Sequence, residues 1–279
     1  MTEVISQPIQ GSKKHRVKLI HLIYTIVALV ALSIVAVIVV WLLSAKSTAV
    51  TMPVGNGWYQ ETSYQPFTVG SKLYMTFIGI ESCEYCAAER YAIFYALSNF
   101  GNWTYYDKRL NISILPVNNY TTNPQPDALF YKAAEGDWTL NFLAQALVYK
   151  SNYIDFSSIE ALDNTGAQLQ SLNSIQSGYM AKYDPSGAVP FSVIGGNFYE
   201  VGAGNSLVQN SIPIIFMQNG TGYSPSEIIG AFNVSGSTIN EGITKEADYI
   251  SALICADINN SAPVCSSPII NAIASKLNV

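Results

Sequence analysis

Residues 73–101 read LYMTFIGIESCEYCAAERYAIFYALSNFG, and the fold turns on them. Leu73 to Ile80 is an unbroken apolar, β-branched and aromatic run with the length of a buried strand. The pattern then changes. After Cys83-Glu84-Tyr85-Cys86, apolar Ile93, Leu97 and Phe100 recur at helical spacing, and Gly101 supplies a C-terminal stop. A strand that passes through Cys-x-x-Cys into a helix puts both thiols at the helix N-terminus. There the unpaired N–H groups and the positive end of the dipole stabilise a thiolate, the attacking species in disulfide exchange. The two-residue spacer lets the second cysteine close a small ring. Cys83 and Cys86 are therefore the candidate catalytic pair.

The remaining cysteines, Cys255 and Cys265, stand ten residues apart between a predicted helix end and a Pro-containing loop. That spacing suits a structural disulfide; a relay pair that exchanges with Cys83–Cys86 is the competing reading. The two histidines, His15 and His21, precede the body of the chain. Ser-His and Cys-His catalysis by the body is thereby excluded. Two cysteines make half of a tetrahedral zinc shell, so no metal and no cofactor are expected. Transfer of a soft ion such as Cu(I) through the two thiolates is the weakest alternative, because no Met or His stands close in sequence.

Charged residues make up only 12% of the 279, with Tyr, Asn, Ser and Gly supplying the polar surface. The net charge of −5 divides unevenly. Residues 1–46 carry five Lys/Arg and one acid, hence +4; residues 47–279 carry nine and eighteen, hence −9. This balance argues against nucleic acid as a partner. A surface poor in charge suits an acidic exterior, where carboxylates are protonated; ordinary drift in composition gives the same picture.

Leu19 to Leu43 is almost wholly apolar. As a helix it is about 37 Å long, enough to cross a bilayer with some tilt. Lys13, Lys14, Arg16 and Lys18 precede it and only Lys46 closely follows, which places residues 1–18 in the cytoplasm and the body outside. The run exceeds a usual signal core, so an uncleaved anchor is expected, with Ser47-Thr48-Ala49 as the competing cleavage site. Six sequons, at Asn102, Asn111, Asn119, Asn219, Asn233 and Asn259, agree with export and glycosylation. Residues 44–66, with Pro53 and two glycines, read as a linker, and residues 67–279 as the extracytoplasmic domain.

Within the body, Asn111 to Val117 (NISILPV) is the expected second strand, and Tyr153 to Leu162 has β character. Gln168 to Lys182 reads as an amphipathic helix through Leu169, Leu172, Ile175 and Tyr179. Val189-Pro190 opens a β-rich run that turns at Gly195-Gly196. Helices are expected near Ser226 to Phe232, over Thr244 to Ala256 and after Pro268. Glu89 and Arg90 read as a solvated helix face.

The strand ending at Ile80, the Cys83/Cys86 pair opening a helix, and the Val189-Pro190 step before a hairpin together resemble the thioredoxin superfamily. CEYCAAERYAIFYALSNFG, SNYIDFSSIEALDN, VPFSVIGG and the late cysteine pair are similar, over roughly residues 70–265, to a family of membrane-anchored archaeal proteins of unknown function. The resemblance implies an α/β fold: a thioredoxin-like mixed sheet flanked by helices, preceded by one transmembrane helix, with an insertion over about residues 118–185 before the hairpin. It implies that Pro190 is cis and faces the redox pair, and that Val189 pairs its backbone with an extended substrate segment. The implied function is thiol–disulfide oxidoreductase or isomerase acting on exported cysteine-containing proteins, with a membrane redox partner. A non-enzymatic surface or binding protein with both cysteine pairs as permanent staples is the alternative. The site departs from the superfamily pattern at Ser82 and at Glu84-Tyr85. An ionised carboxylate beside the thiols raises their pKa, so the direction of exchange stays open at this level.

Overall fold

In a computed structural model, which describes residues 51–63, 65–80, 83–107, 112–114, 130–132, 138–140, 147–163, 165–202 and 234–279, the apolar run becomes the middle of a mixed sheet. The described chain opens with a hairpin, β1 (Thr51–Gly55) and β2 (Trp58–Glu61). Asn56 and Gly57 close it with φ of 51° and 89°. Two consecutive positive φ values are what a tight hairpin turn demands, and Asn-Gly adopts them cheaply. This corrects the linker expected over 44–66: residues 51–61 belong to the sheet. The misleading residues have structural posts, Pro53 in an edge strand and the glycines beside the turn. Trp58, only 1% exposed, anchors the hairpin in the core.

Next come β3 (Thr68–Val69) and β4 (Lys72–Gly79), then helix α1 (Glu84–Ser98). Seven of the eight residues of β4 are buried. It lies between two other strands and is covered on both faces, which is why its sequence shows no alternation. Strands β5 (Gly101–Asp107), β6 (Ile112–Ile114), β7 (Phe130–Lys132), β8 (Trp138–Leu140) and β9 (Leu147–Ser151) follow. They make two small antiparallel sheets, β6-β5-β9 and β7-β8. Then β10 (Ile154–Glu160) returns parallel to β4, from Ile154 opposite Leu73 to Glu160 opposite Gly79.

The strand of the main sheet that follows β4 is therefore β10, not Asn111 to Val117, whose described residues form β6 in a small sheet. The range 118–185, expected as an insertion, holds β10 of the main sheet and helix α2 (Ser174–Tyr183), which connects β10 to β11. That helix starts later than its apolar spacing predicts. Asn173 caps it, its side chain accepting from the Gln176 N–H while Gln176 reciprocates at the Asn173 N–H, and this capping box stops the helix from extending back to Gln168. Leu169 is accordingly exposed.

β11 (Phe191–Ile194) and β12 (Phe198–Val201) form the hairpin expected after Pro190, turning through Gly195 and Gly196, both at positive φ. Helix α3 (Thr238–Asp257), a 3₁₀ turn at Pro263–Ser266 and helix α4 (Pro268–Leu277) complete the chain. The main path is β1-β2-β12-β11-β4-β10, with β4–β10 parallel and β11 antiparallel to β4. One sheet face packs Met75, Phe77, Ile194 and Phe198 with Cys86, Ile93 and Leu97 of α1 and Ile250 and Leu253 of α3. The other packs Tyr74, Ile78, Phe191 and Val193 with Tyr179 of α2. Trp103, after α1, joins this packing: it stacks on Phe94 at 4.9 Å between centroids.

The apolar run over 19–43 and the helix expected at 226–232 lie outside the described residues. Among the described residues no helix is long and apolar enough to cross a membrane.

Candidate redox site

The chain leaves β4 at Gly79 and enters α1 through Cys83, which is the N-cap residue (φ −84°, ψ 114°). Its Sγ accepts the Cys86 N–H at 3.0 Å, the role an Asp or Ser oxygen usually fills at a helix start. Cys83 and Cys86 are joined as a disulfide, and Cα atoms 5.1 Å apart suit that bond. Burial separates the two sulfurs: Cys83 is half-buried, whereas Cys86 is 0% exposed and packs into the core. A species arriving from solvent meets Cys83 first.

The Val189–Pro190 peptide is cis, and the Val189 carbonyl oxygen lies 3.9 Å from Cys83 Sγ. A disulfide sulfur has no proton to donate, so this is a close approach rather than a hydrogen bond. The approach follows from the sheet, since β11, which begins right after Pro190, pairs with β4 from Phe191 opposite Ile78. Cys83, Cys86 and Val189 thus meet at one end of two adjacent strands, with Pro190 starting the second.

Sequence reasoning misplaced Arg90 and Glu89, which are 0% and 1% exposed rather than a solvated face. Arg90 Nε donates to Glu160 Oε1 at 2.7 Å and Nη2 to Glu160 Oε2 at 2.6 Å, tying α1 to β10. Nη2 also donates to the Ile80 carbonyl at 3.0 Å, where the chain leaves β4 for the cysteine turn. The salt bridge thus spans the fold and its arginine also fixes the Ile80 carbonyl, and nothing local in the sequence pairs residues so far apart.

Cys255 and Cys265 form a second disulfide, 1% and 2% exposed, linking the last turn of α3 to the 3₁₀ turn. Its burial separates it from any incoming thiol. Replacing both residues by alanine is expected to cost about 2–4 kcal/mol in a thermal or denaturant melt. Exchange by Cys83–Cys86 is expected to survive; its loss in a still-folded variant would show a relay instead.

Near that bridge, the Asp257 carboxylate accepts from Asn197 Nδ2 at 2.8 Å and packs against Gly195, at φ 57° with no room for a Cβ. Burial pushes the Asp257 carboxyl up to about 7, partly offset by the Asn197 bond. The folded state therefore prefers the protonated acid, and Asp257 costs stability progressively as pH rises from its unfolded value near 4 through 7. Asp257→Asn is expected to raise the unfolding free energy at pH 8 by an amount on the order of a few kcal/mol, and the melting temperature with it, and to leave both unchanged at pH 4. An equal shift at both pH values would remove this account.

Comparison with known proteins gives one assignment. A family model described as Domain of unknown function (DUF929) matches residues 59–256. The chain belongs to the DUF929 family. The matched DUF929 region runs from β2 nearly to the end of α3 and contains Cys83, Cys86, Val189, Pro190 and the Arg90–Glu160 pair. No curated protein and no solved structure gives a match.

Proposed function

We propose that this DUF929 protein is a thiol–disulfide oxidoreductase or isomerase, anchored by residues 19–43 with its domain outside the cytoplasm, acting on exported cysteine-containing proteins. The observation that carries the reading is the Cys83–Cys86 disulfide at the start of α1, with Cys83 half-buried and Cys86 buried, and Cys83 facing the Val189 carbonyl at a cis proline. The architecture supports it. The sheet order β12-β11-β4-β10, with α1 and α2 as the successive connections from β4 through β10 to β11, supports the thioredoxin-like reading. The small sheets between α1 and β10 are the elaboration.

In the oxidising direction a substrate thiolate attacks Cys83 Sγ. The Cys83–Cys86 bond breaks, and Cys86 leaves as a thiolate that a proton then neutralises. A second substrate thiolate attacks the substrate sulfur of the mixed disulfide and releases Cys83, so two electrons pass from substrate to the cysteine pair. In the reducing direction the Cys83 thiolate attacks a substrate disulfide, and Cys86 attacks Cys83 Sγ to release the reduced substrate. Helix-end N–H groups stabilise the Cys83 thiolate in either direction. The Val189 backbone, beside Cys83, offers an edge against which an extended substrate segment lies. Each turnover leaves the pair in the opposite state, and a membrane redox partner resets it.

The test is an exchange assay with the full chain in detergent and a disulfide-containing model peptide, in both directions. Turnover of the peptide supports the proposal. If the folded protein neither oxidises nor reduces it, and both bridges resist mild reductant equally, the reading as a non-enzymatic surface protein takes its place.

A further inference from the structure

Three glutamates that disulfide exchange does not use converge between the main sheet and its helices. Glu89 lies on α1 one turn beyond Cys86, Glu200 on β12 and Glu246 on α3. They are 1%, 2% and 0% exposed, and one oxygen from each lies within 4.8 Å of the others. Glu246 is held in orientation: Trp58 Nε1 donates to its Oε1 at 2.8 Å, and Asn56 Nδ2 in the hairpin turn donates to its Oε2. Among the described residues, neither carboxylate oxygen of Glu200 meets a hydrogen-bond partner, nor does Oε1 of Glu89. The adjacent buried cation, Arg90, is engaged by Glu160 and the Ile80 carbonyl.

Buried carboxylate oxygens without donors are costly, and three carboxylates together repel. Burial first, and then the neighbouring carboxylates, push Glu89 and Glu200 well above the usual range. An arrangement of acceptors this crowded, with one member fixed by neutral N–H donors, lacks only a positive charge at its centre.

We propose that Glu89, Glu200 and Glu246 form a binding site for one hard divalent cation of the Mn²⁺, Ca²⁺ or Mg²⁺ class. The spacing fits. Oxygens bound to one such ion at about 2.0–2.6 Å lie no more than about 4–5 Å apart. The donor set is oxygen only, which selects hard ions over Cu(I) or a thiolate-bound zinc. Trp58 and Asn56 act on Glu246 as outer partners act on metal-bound carboxylates, fixing its direction. The expectation of no metal counted cysteine and histidine; an all-carboxylate site composed from three distant elements escapes that count. Full burial means slow exchange, with the ion captured as β1–β2 and α3 come together. The site stands independently of the redox reading.

The experiment uses the full chain in detergent, disulfides intact. It is unfolded in guanidinium with EDTA, then refolded separately with MnCl₂, CaCl₂, MgCl₂ or no ion. After gel filtration the metal content per chain and the melting temperature are measured at pH 7. We expect about one equivalent of at least one ion to be retained, and a melting temperature raised by roughly 5–10 °C at ion about 100 times Kd. Glu200→Gln should lose both the ion and the ion-dependent rise; Glu89→Gln is the second variant, read the same way if the first does not fold. Folded wild-type protein that retains none of the three ions overturns the proposal. In that case the variants should melt higher than wild type at pH 7, since replacing one acid relieves the crowding of three buried carboxyl groups.

Discussion

Cys83→Ser is expected to reduce disulfide exchange to the uncatalysed background, a loss on the order of 10³-fold or more, while the protein stays folded with stability lowered by about 2 kcal/mol through loss of the bridge. Cys83 is the half-buried member of the pair and Cys86 the buried one, so only Cys83 Sγ is placed to form the intermolecular bond. Serine keeps the N-cap, because its hydroxyl accepts the Cys86 N–H that the sulfur accepts now. Folding and activity thus separate in this variant. Cys86→Ser has a different expected result: the mixed disulfide between Cys83 and substrate forms and is not resolved, so a covalent complex accumulates that reductant releases. The paired outcome, no complex with the first and a trapped complex with the second, assigns attack and resolution to the two sulfurs. Equal activity of Cys83→Ser and wild type would leave the pair a structural staple.

Arg90→Met is expected to destabilise the domain by about 3–5 kcal/mol, because it leaves Glu160 buried without its partner. For a domain of this size that is a fall of roughly 6–20 °C in melting temperature. Both residues of the pair are 0% exposed, and two short hydrogen bonds join them. Methionine keeps much of the volume, so the loss measures the charge left behind rather than a cavity. Adding Glu160→Leu removes that charge and should recover most of the stability. A loss below about 1 kcal/mol, as for an exposed pair, would contradict the burial of this bridge. Arg90 also donates to the Ile80 carbonyl, so the single variant should loosen the turn that carries Cys83.

The parts of the fold legible in the sequence are those whose signals are local. The unbroken apolar run of β4 announces a strand covered on both faces, and the change to helical spacing after Cys86 announces α1. Pro190 and Gly195-Gly196 bracket β11 and its turn for reasons of backbone geometry alone. The resemblance added that Pro190 would be cis, and it is. The hairpin β1–β2 was hidden because Pro53 and the glycines look the same in a linker as in an edge strand and a turn. The strand that pairs with β4 was hidden because NISILPV and YIDFSSIE carry comparable β signals, and only the pairing itself decides between them. Glu89 and Arg90 follow Cys86 by a single turn and look like solvated charges. Their partners, Glu246, Glu200 and Glu160, come from other elements, so their burial is a tertiary fact that spacing along the chain does not encode.

The central claim is that the two bridges differ in kind: Cys83–Cys86 is a working redox couple and Cys255–Cys265 is not. Equilibrating the full-length protein in detergent with graded glutathione buffers, alkylating the free thiols and mapping them by mass tests this directly. The account predicts reversible reduction of Cys83–Cys86 at a potential above about −300 mV, with Cys255–Cys265 intact throughout. Both bridges resisting equally until the protein unfolds would contradict it.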